Sequence, residues 1–183
     1  MILEVPHYSQ HLDVHEKKWK RKACAVVCIK MLMDAKSFKT PSIDDLIQEG
    51  VSLGAFGVSG WIHSGLITLA SKYNVTLSRA EWRKSETKTS ETLLDEGVGF
   101  LSNKILEGSP TMVSIVKYFK PWDSDSRYQK FHIVVLVGIK EKDGNLEGFF
   151  YHDPNTQTQG RGKNKFVSLG MFKKSWRRMA IFE

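Results

Sequence analysis

Two thiols, an imidazole and a carboxylate are the side chains here best suited to covalent chemistry, and their spacing decides which chemistry. The only cysteines, Cys24 and Cys28, fall in the stretch RKACAVVCIKMLMDA, residues 21–35. Cysteine attacks as the thiolate, and its ordinary pKa of about 8.5 drops where a helix N-terminus or cations favour the anion. Cys24 stands where an apolar helix would begin, just after Arg21 and Lys22. Cys28 stands one turn further in, among Val27, Ile29, Met31 and Leu32, where burial makes a thiol inert. Cys24 is therefore the candidate nucleophile and Cys28 a core residue. The plainer alternative makes both of them small buried hydrophobes. At i and i+4 of one helix the pair is poorly placed for a disulfide, and two cysteines make no disulfide framework.

A nucleophile of this kind needs a base. The run FHIVVLVGIKEKDGNLEGFFYHD, residues 131–153, reads as a hairpin turning at Asp143-Gly144. That turn sets Val134 opposite Asp153 and His132 opposite Asn155. Because side chains alternate along a strand, His132 and Asp153 then share a face as diagonal neighbours about 7–8 Å apart, and His152 points the other way. Two readings stay open at this point: a structural histidine with a satisfied ring, or a general base oriented by a carboxylate. A helix-start cysteine, a downstream strand histidine and a third group orienting it make the arrangement of papain-type enzymes.

Elements must carry those side chains. The chain has 183 residues, 41% hydrophobic and 26% charged, which fits one domain over 1–183 with its own core. The helix running from near Ala23 to about Lys36 is apolar nearly all round and so should be central. Further helices are expected in SIDDLIQEG with Ser42 as cap, in FGVSGWIHSGLITLASKYN with Ser59 as cap, and in TSETLLDEGVGFLSNKILEGSP with Ser90 as cap and Gly108 as stop. After Pro110 the period becomes two, in TMVSIVKY, FHIVVLVGIK, LEGFFYHD, NKFVSL and RRMAIF. Short strands are also expected at Ile2–Val5 and in VTLSRAEW. Helices first and antiparallel strands second give an α+β fold, a helical N-terminal half packed on a C-terminal antiparallel sheet. The polar link FKPWDSDSRYQK is of the kind that carries function, and its Trp122 is a candidate roof over a cleft.

The net charge is +7, with basic clusters at Lys17, Lys18, Lys20, Arg21 and Lys22 and at Lys173, Lys174, Arg177 and Arg178. No aromatic stacking ladder or recognition helix accompanies them, so no nucleic-acid partner is expected; a solvated basic surface also attracts acidic peptide segments. No apolar run approaches the ~20 residues of a membrane span. Glu4 in MILEVPHYSQ is unlike a signal peptide, so a cytoplasmic protein is expected. A zinc site of Cys24, Cys28, His132 and His152 is the competing metal reading, opposed by the outward turn of His152. His7, His11 and His15 recur every four residues, but after Pro6 and without an apolar face they read as a loop. No metal and no cofactor are expected.

Five segments, VPHYSQ, CAVVCIKMLM, FHIVVLVGI, YHDPN and FKKSW, resemble in this order the bacteriocin-processing peptidases, peptidase family C39 of the papain-like superfamily. The resemblance implies a papain-like fold and a cysteine peptidase acting on a peptide or protein substrate. It implies Cys24 as nucleophile, His132 as general base and acid, Asp153 as the group orienting the ring, and Gln10 as oxyanion donor beside the Cys24 N–H. The family's best-known members cleave leader peptides after Gly-Gly while fused to an export transporter; with no transporter half here, a stand-alone peptidase is expected. Ala25-Val26 replaces the family's Gly-Pro after the cysteine, and Phe131 its Gly before the histidine. These departures leave room for a non-catalytic peptide-binding module of the same fold, and the apparatus would equally serve a related amide hydrolase or acyl transferase.

Overall fold

A helix that is apolar on every side has to be surrounded, and α1 (Cys24–Asp34) is: all its residues except Cys24, Lys30 and Asp34 are buried. Its two charged positions answer each other, Lys30 Nζ lying 2.8 Å from Asp34, which also accepts the Tyr8 hydroxyl at 2.7 Å. The computed structural model describes residues 1–36, 40–116, 119 and 131–183. Trp122 and nearly all of the polar link lie outside these described residues. Two further helices pack on α1. In α2 (Ile43–Ser52) Ser42 caps the first turn by accepting from the Asp45 N–H, and Asp44 and Asp45 favour the positive end of the dipole. In α3 (His63–Ser71) no side chain caps the start. The expected cap at Ser59 is not formed, because residues 56–61 fold as a hairpin, β1 (Phe56–Gly57) and β2 (Gly60–Trp61). Gly60 supplies the left-handed backbone, at φ 103°, and the paired Phe56 and Trp61 close on Trp19, their ring centroids 4.9 and 5.8 Å from it.

The second half is a six-stranded sheet. Its strands are β3 (Ser78–Glu81), β4 (Thr111–Val116), β5 (Phe131–Lys142), β6 (Asn145–His152), β7 (Lys165–Ser168) and β8 (Trp176–Phe182). They lie in the order β3-β8-β4-β5-β6-β7, every neighbour antiparallel. Helices α4 (Ser90–Leu106), capped by Thr89 rather than Ser90, and α5 (Leu169–Ser175) complete the fold. The sheet divides two cores. Ile133, Val135 and Val137 of β5 join the core built on α1, while Val134, Leu136 and Ile139 join the core that holds Leu101 and Ile105 of α4 and Phe172 of α5. This is the α+β architecture, helices packed against an antiparallel sheet. The strand expected at Ile2–Val5 is reduced to one bridge, Ile2 to Gly138, since the segment lies directly across β5 there.

The β5–β6 hairpin turns on Asp143 and Gly144, both with positive φ (50° and 76°), and pairs Lys142 with Asn145. The pairing then slips by one residue at Glu147 and slips back at Val137. The two bulges cancel, so Val135 meets His152 and Leu136 meets Tyr151 in the register an uninterrupted hairpin would give. The second bulge also explains why Ile139 shares a face with Leu136, a break in strict alternation.

Candidate active site

Cys24 is the first residue of α1. Its N-cap, Ala23, offers no side chain to the helix start, and no acidic residue occupies the first turn. The first bond of the helix runs from the Val27 N–H to the Ala23 carbonyl at 2.9 Å, so the N–H groups of Cys24, Ala25 and Val26 precede it and have no intrahelical acceptor. Such an end, with free donors and the positive end of the dipole, suits an anion. The cysteine is half-buried, whereas Cys28 is fully buried. Burial pushes the Cys28 thiol well up, helped by the nearby Cys24 and Asp153, and its Sγ lies 3.5 Å from the Ile133 carbonyl.

His132, the second residue of β5, is buried, and its Nε2–H donates to Asp153 Oδ1 at 2.8 Å. Burial disfavours the charged imidazole, but the bond to Asp153 and the influence of nearby Cys24 outweigh it, and the ring pKa rises to about 9. For Asp153 burial pushes up while His132 and Lys165 pull down more strongly, so the carboxyl is held well below its usual range.

Asp153 is held on every side. Oδ1 also accepts the Asn155 N–H at 2.9 Å, and Oδ2 accepts Lys165 Nζ at 2.9 Å. Its backbone carbonyl accepts from His7 Nε2 at 3.0 Å, and its N–H donates to the Gly162 carbonyl at 2.8 Å. Lys165 was not singled out in the sequence. Its position depends on how β7 registers against β6, where it pairs with Tyr151, and the loop of residues 153–164 hides that register from the letters.

The segment 7–13 lies along the same turn. Gln10 N–H donates to the Pro154 carbonyl at 2.8 Å, Ser9 Oγ to the Thr156 carbonyl at 2.6 Å, and His11 Nε2 meets Asn155 Oδ1 at 2.7 Å. Gln10 is buried; its Nε2 donates to the Lys20 carbonyl at 2.9 Å and its Oε1 has no partner among the described residues. One amide hydrogen of Gln10 therefore goes to the loop before Cys24 and one remains. His152 serves structure instead. Its Nε2–H donates to the Val5 carbonyl and its Nδ1 accepts the Asn164 N–H, while burial lowers its pKa to about 4. The zinc set fails on this separation, and among the described residues no group of three or more His, Cys, Asp and Glu could hold a metal.

The chain thus joins an imidazole to a carboxylate by a buried hydrogen bond, and Cys24, at a helix start, lies close enough to influence the ring's pKa. A scan of protein-family models matches residues 2–181 to the Peptidase_C39 like family. No curated protein matches in sequence. Among solved structures the chain is similar to a protein from Bacillus anthracis described as a C39-like peptidase, at 16% identity and TM-score 0.65, covering 99% of this chain and 96% of that one. It is similar to a double glycine motif protease from an AMS/PCAT transporter, solved with its leader peptide, at 16% identity and TM-score 0.56, covering 99% and 92%. It is also similar to the peptidase domain of Streptococcus ComA, a bifunctional ABC transporter of a quorum-sensing pathway, at 15% identity and TM-score 0.53, covering 88% and 90%. At these identities the likenesses show the fold. Among the described residues no helix is long and apolar enough to cross a membrane.

Proposed function

The chain belongs to the C39-like peptidase family, and we propose that it hydrolyses peptide bonds through Cys24, with His132 as base and acid and Asp153 as the group that orients the ring. The observation that carries this reading is the buried bond from the His132 ring to Asp153 at 2.8 Å, with Cys24 close enough to help raise the ring's pKa. An imidazole raised to about 9 is protonated at neutral pH, the state that pairs with a thiolate.

The thiolate attacks the carbonyl carbon of the scissile bond, and the carbonyl oxygen takes up the electron pair. The Cys24 N–H at the open helix end and the remaining Gln10 amide hydrogen are the donors for that oxyanion. The His132 proton passes to the leaving amine as the C–N bond breaks, giving an acyl-enzyme. A water then loses a proton to the neutral imidazole, attacks the thioester, and releases the carboxylic acid with the thiolate restored. Asp153 keeps Nε2 protonated, so Nδ1 is the atom that exchanges protons with sulfur, amine and water.

Neither departure from the family pattern fills this site. Ala25 is buried in the α1 core, and the ring of Phe131 is 56% exposed at the sheet surface. The transporter-linked neighbours, one of them bound to a leader peptide, support an extended peptide as substrate.

Cys24→Ala tests the scheme. It is expected to abolish turnover of a cleaved peptide, and labelling by a thiol-directed electrophile, while the far-UV circular dichroism stays that of the parent. A Cys24→Ala protein with full activity would discard the scheme.

A further inference from the structure

Next to His132 the sheet breaks its own pattern. In β8 the residues Arg177, Arg178 and Met179 stand opposite the single residue Ser114 of β4, between the pairs Val113–Ala180 and Ile115–Trp176. Arg178 takes φ 56°, a left-handed backbone that a long side chain seldom adopts. Bulges of this kind re-aim a side chain, and they gather beside active sites. Here the re-aimed residue is Arg177. Its Cζ lies 3.7 Å from the centroid of the exposed Phe131 ring, the residue immediately before His132. One guanidinium nitrogen donates to Ser114 Oγ at 3.3 Å.

The surroundings of Arg177 are basic. Arg83 Nε donates to the Arg177 carbonyl at 3.1 Å. Glu81, the one carboxylate of the group, is engaged by Arg79 and lies 3.6 Å from Arg83. Arg177 has no carboxylate partner among the described residues. Burial and the charge of Arg83 accordingly pull its guanidinium below its usual value, against a smaller opposing effect of Glu81. The cluster also reaches the start of α3. His63, the first residue of α3, is held below the ordinary imidazole value by burial and then by Arg79, Arg177 and Arg83. Just before α3, Trp61 Nε1 donates to the Lys22 carbonyl at 2.8 Å, two residues from Cys24.

A guanidinium laid flat on a ring, fixed by a hydroxyl and short of negative charge, presents its remaining N–H groups in the planar fork that matches a carboxylate. We propose that Arg177 forms a carboxylate-binding subsite of the cleft, and that the peptide it accepts carries a carboxylate within a few residues of the attacked bond. This rests on the peptidase reading for the position of that bond. Stacking on Phe131 restricts the arginine before substrate arrives, which lowers the ordering cost of binding.

The test uses random decapeptides in two forms, free acids and C-terminal amides. Peptides captured by the Cys24→Ala protein are sequenced by mass spectrometry, and bonds cut by the unmodified protein are mapped in the same libraries. Captured and cleaved peptides are expected to show Asp and Glu enriched about tenfold over input, the factor for one charge-assisted hydrogen bond. Arg177→Leu, which still covers Phe131, should return the enrichment to input on either background, and Arg177→Lys should keep part of it. Asp and Glu enrichment that persists in the amidated library assigns the carboxylate to a side chain; preference for free acids over their amides, without Asp and Glu enrichment, assigns it to the peptide terminus. Capture of no peptide, capture with neither acidic enrichment nor preference for free acids, or a selectivity untouched by Arg177→Leu overturns the proposal. Acid-selective capture with no cleavage keeps the subsite and defeats the peptidase reading, and cleavage without acid selection does the reverse.

Discussion

His132 is bonded to a carboxylate that is backed by the Lys165 cation, and Cys24 lies near enough to influence the ring's pKa. The lysine partly neutralises Asp153, and this limits how far the carboxylate can stabilise the imidazolium. Activity that needs a protonated ring falls as pH rises through about 9, the value to which the ring is raised. Lys165→Met leaves the carboxylate unneutralised, so the alkaline limb of kcat/KM should move to higher pH, while Lys165→Arg should leave it in place. The groups that interact with Asp153 are His132, Lys165, Cys28 and Tyr151, with His7 on its backbone carbonyl, so titrating the variants from pH 6 to 10 tests this link; an unmoved limb would reduce Lys165 to a packing role. Gln10→Ala should lower kcat by about 10²–10³ without unfolding the protein, the usual effect of removing one oxyanion donor. The His132–Asp153 contact was legible at this scale from the hairpin register, and Cys24 stands out in the sequence as a reactive type at a helix start. Lys165 was not, since one lysine among many becomes special only through the strand it pairs with.

Among the elements, the start of α1 and the turn after β6 matter most. The helix start was legible from the change to a wholly apolar run at Ala23. The hairpin register was legible from Asp143-Gly144, yet the reading holds only because bulges at Glu147 and Val137 cancel, and neither has a sequence signature. Residues 60–62 were misread as the first turn of the helix because Ser59 looked like a cap, while the pairing of Phe56 with Trp61 on Trp19 that stabilises the hairpin is a tertiary effect. The turn that carries Asp153 closes against Gly162, where an added Cβ would overlap the Asp153 carbonyl and His7 Nε2. Gly162→Ala should therefore cost about 1–3 kcal/mol in urea unfolding and depress kcat by displacing Asp153. Gly99→Ala, where the Cβ meets nothing, is the control: kcat should stay unchanged, and helix propensity should raise stability by about 1 kcal/mol.

At the scale of the molecule, the sheet lies between two cores, and the helix that bears Cys24 packs on β5, with Cys28 against the Ile133 carbonyl and Ile29, Met31 and Met33 fully buried in the shared core. The helix-then-strand order foretold this layering, because each amphipathic layer must find a partner. Ile29→Ala should cost about 2–5 kcal/mol and loosen the seat of the nucleophile. The buried pair of His132 and Asp153 ties stability to pH in a definite sense. His132 is raised from 6.5 to about 9, so its contribution is complete below about pH 6.5 and is lost as pH rises through about 9. Asp153 is depressed, so its contribution is complete above its ordinary value of 3.8 and is lost as the medium is acidified below that. The melting temperature should therefore decline between pH 6.5 and 9, and decline less steeply in His132→Gln. The account turns on one reactive sulfur paired with one buried imidazole. Limiting alkylation at neutral pH, mapped by mass spectrometry, reads this directly: Cys24 should be modified with Cys28 untouched, and the rate should collapse in His132→Ala. Equal labelling of both cysteines, or a Cys24 rate indifferent to His132, would contradict it.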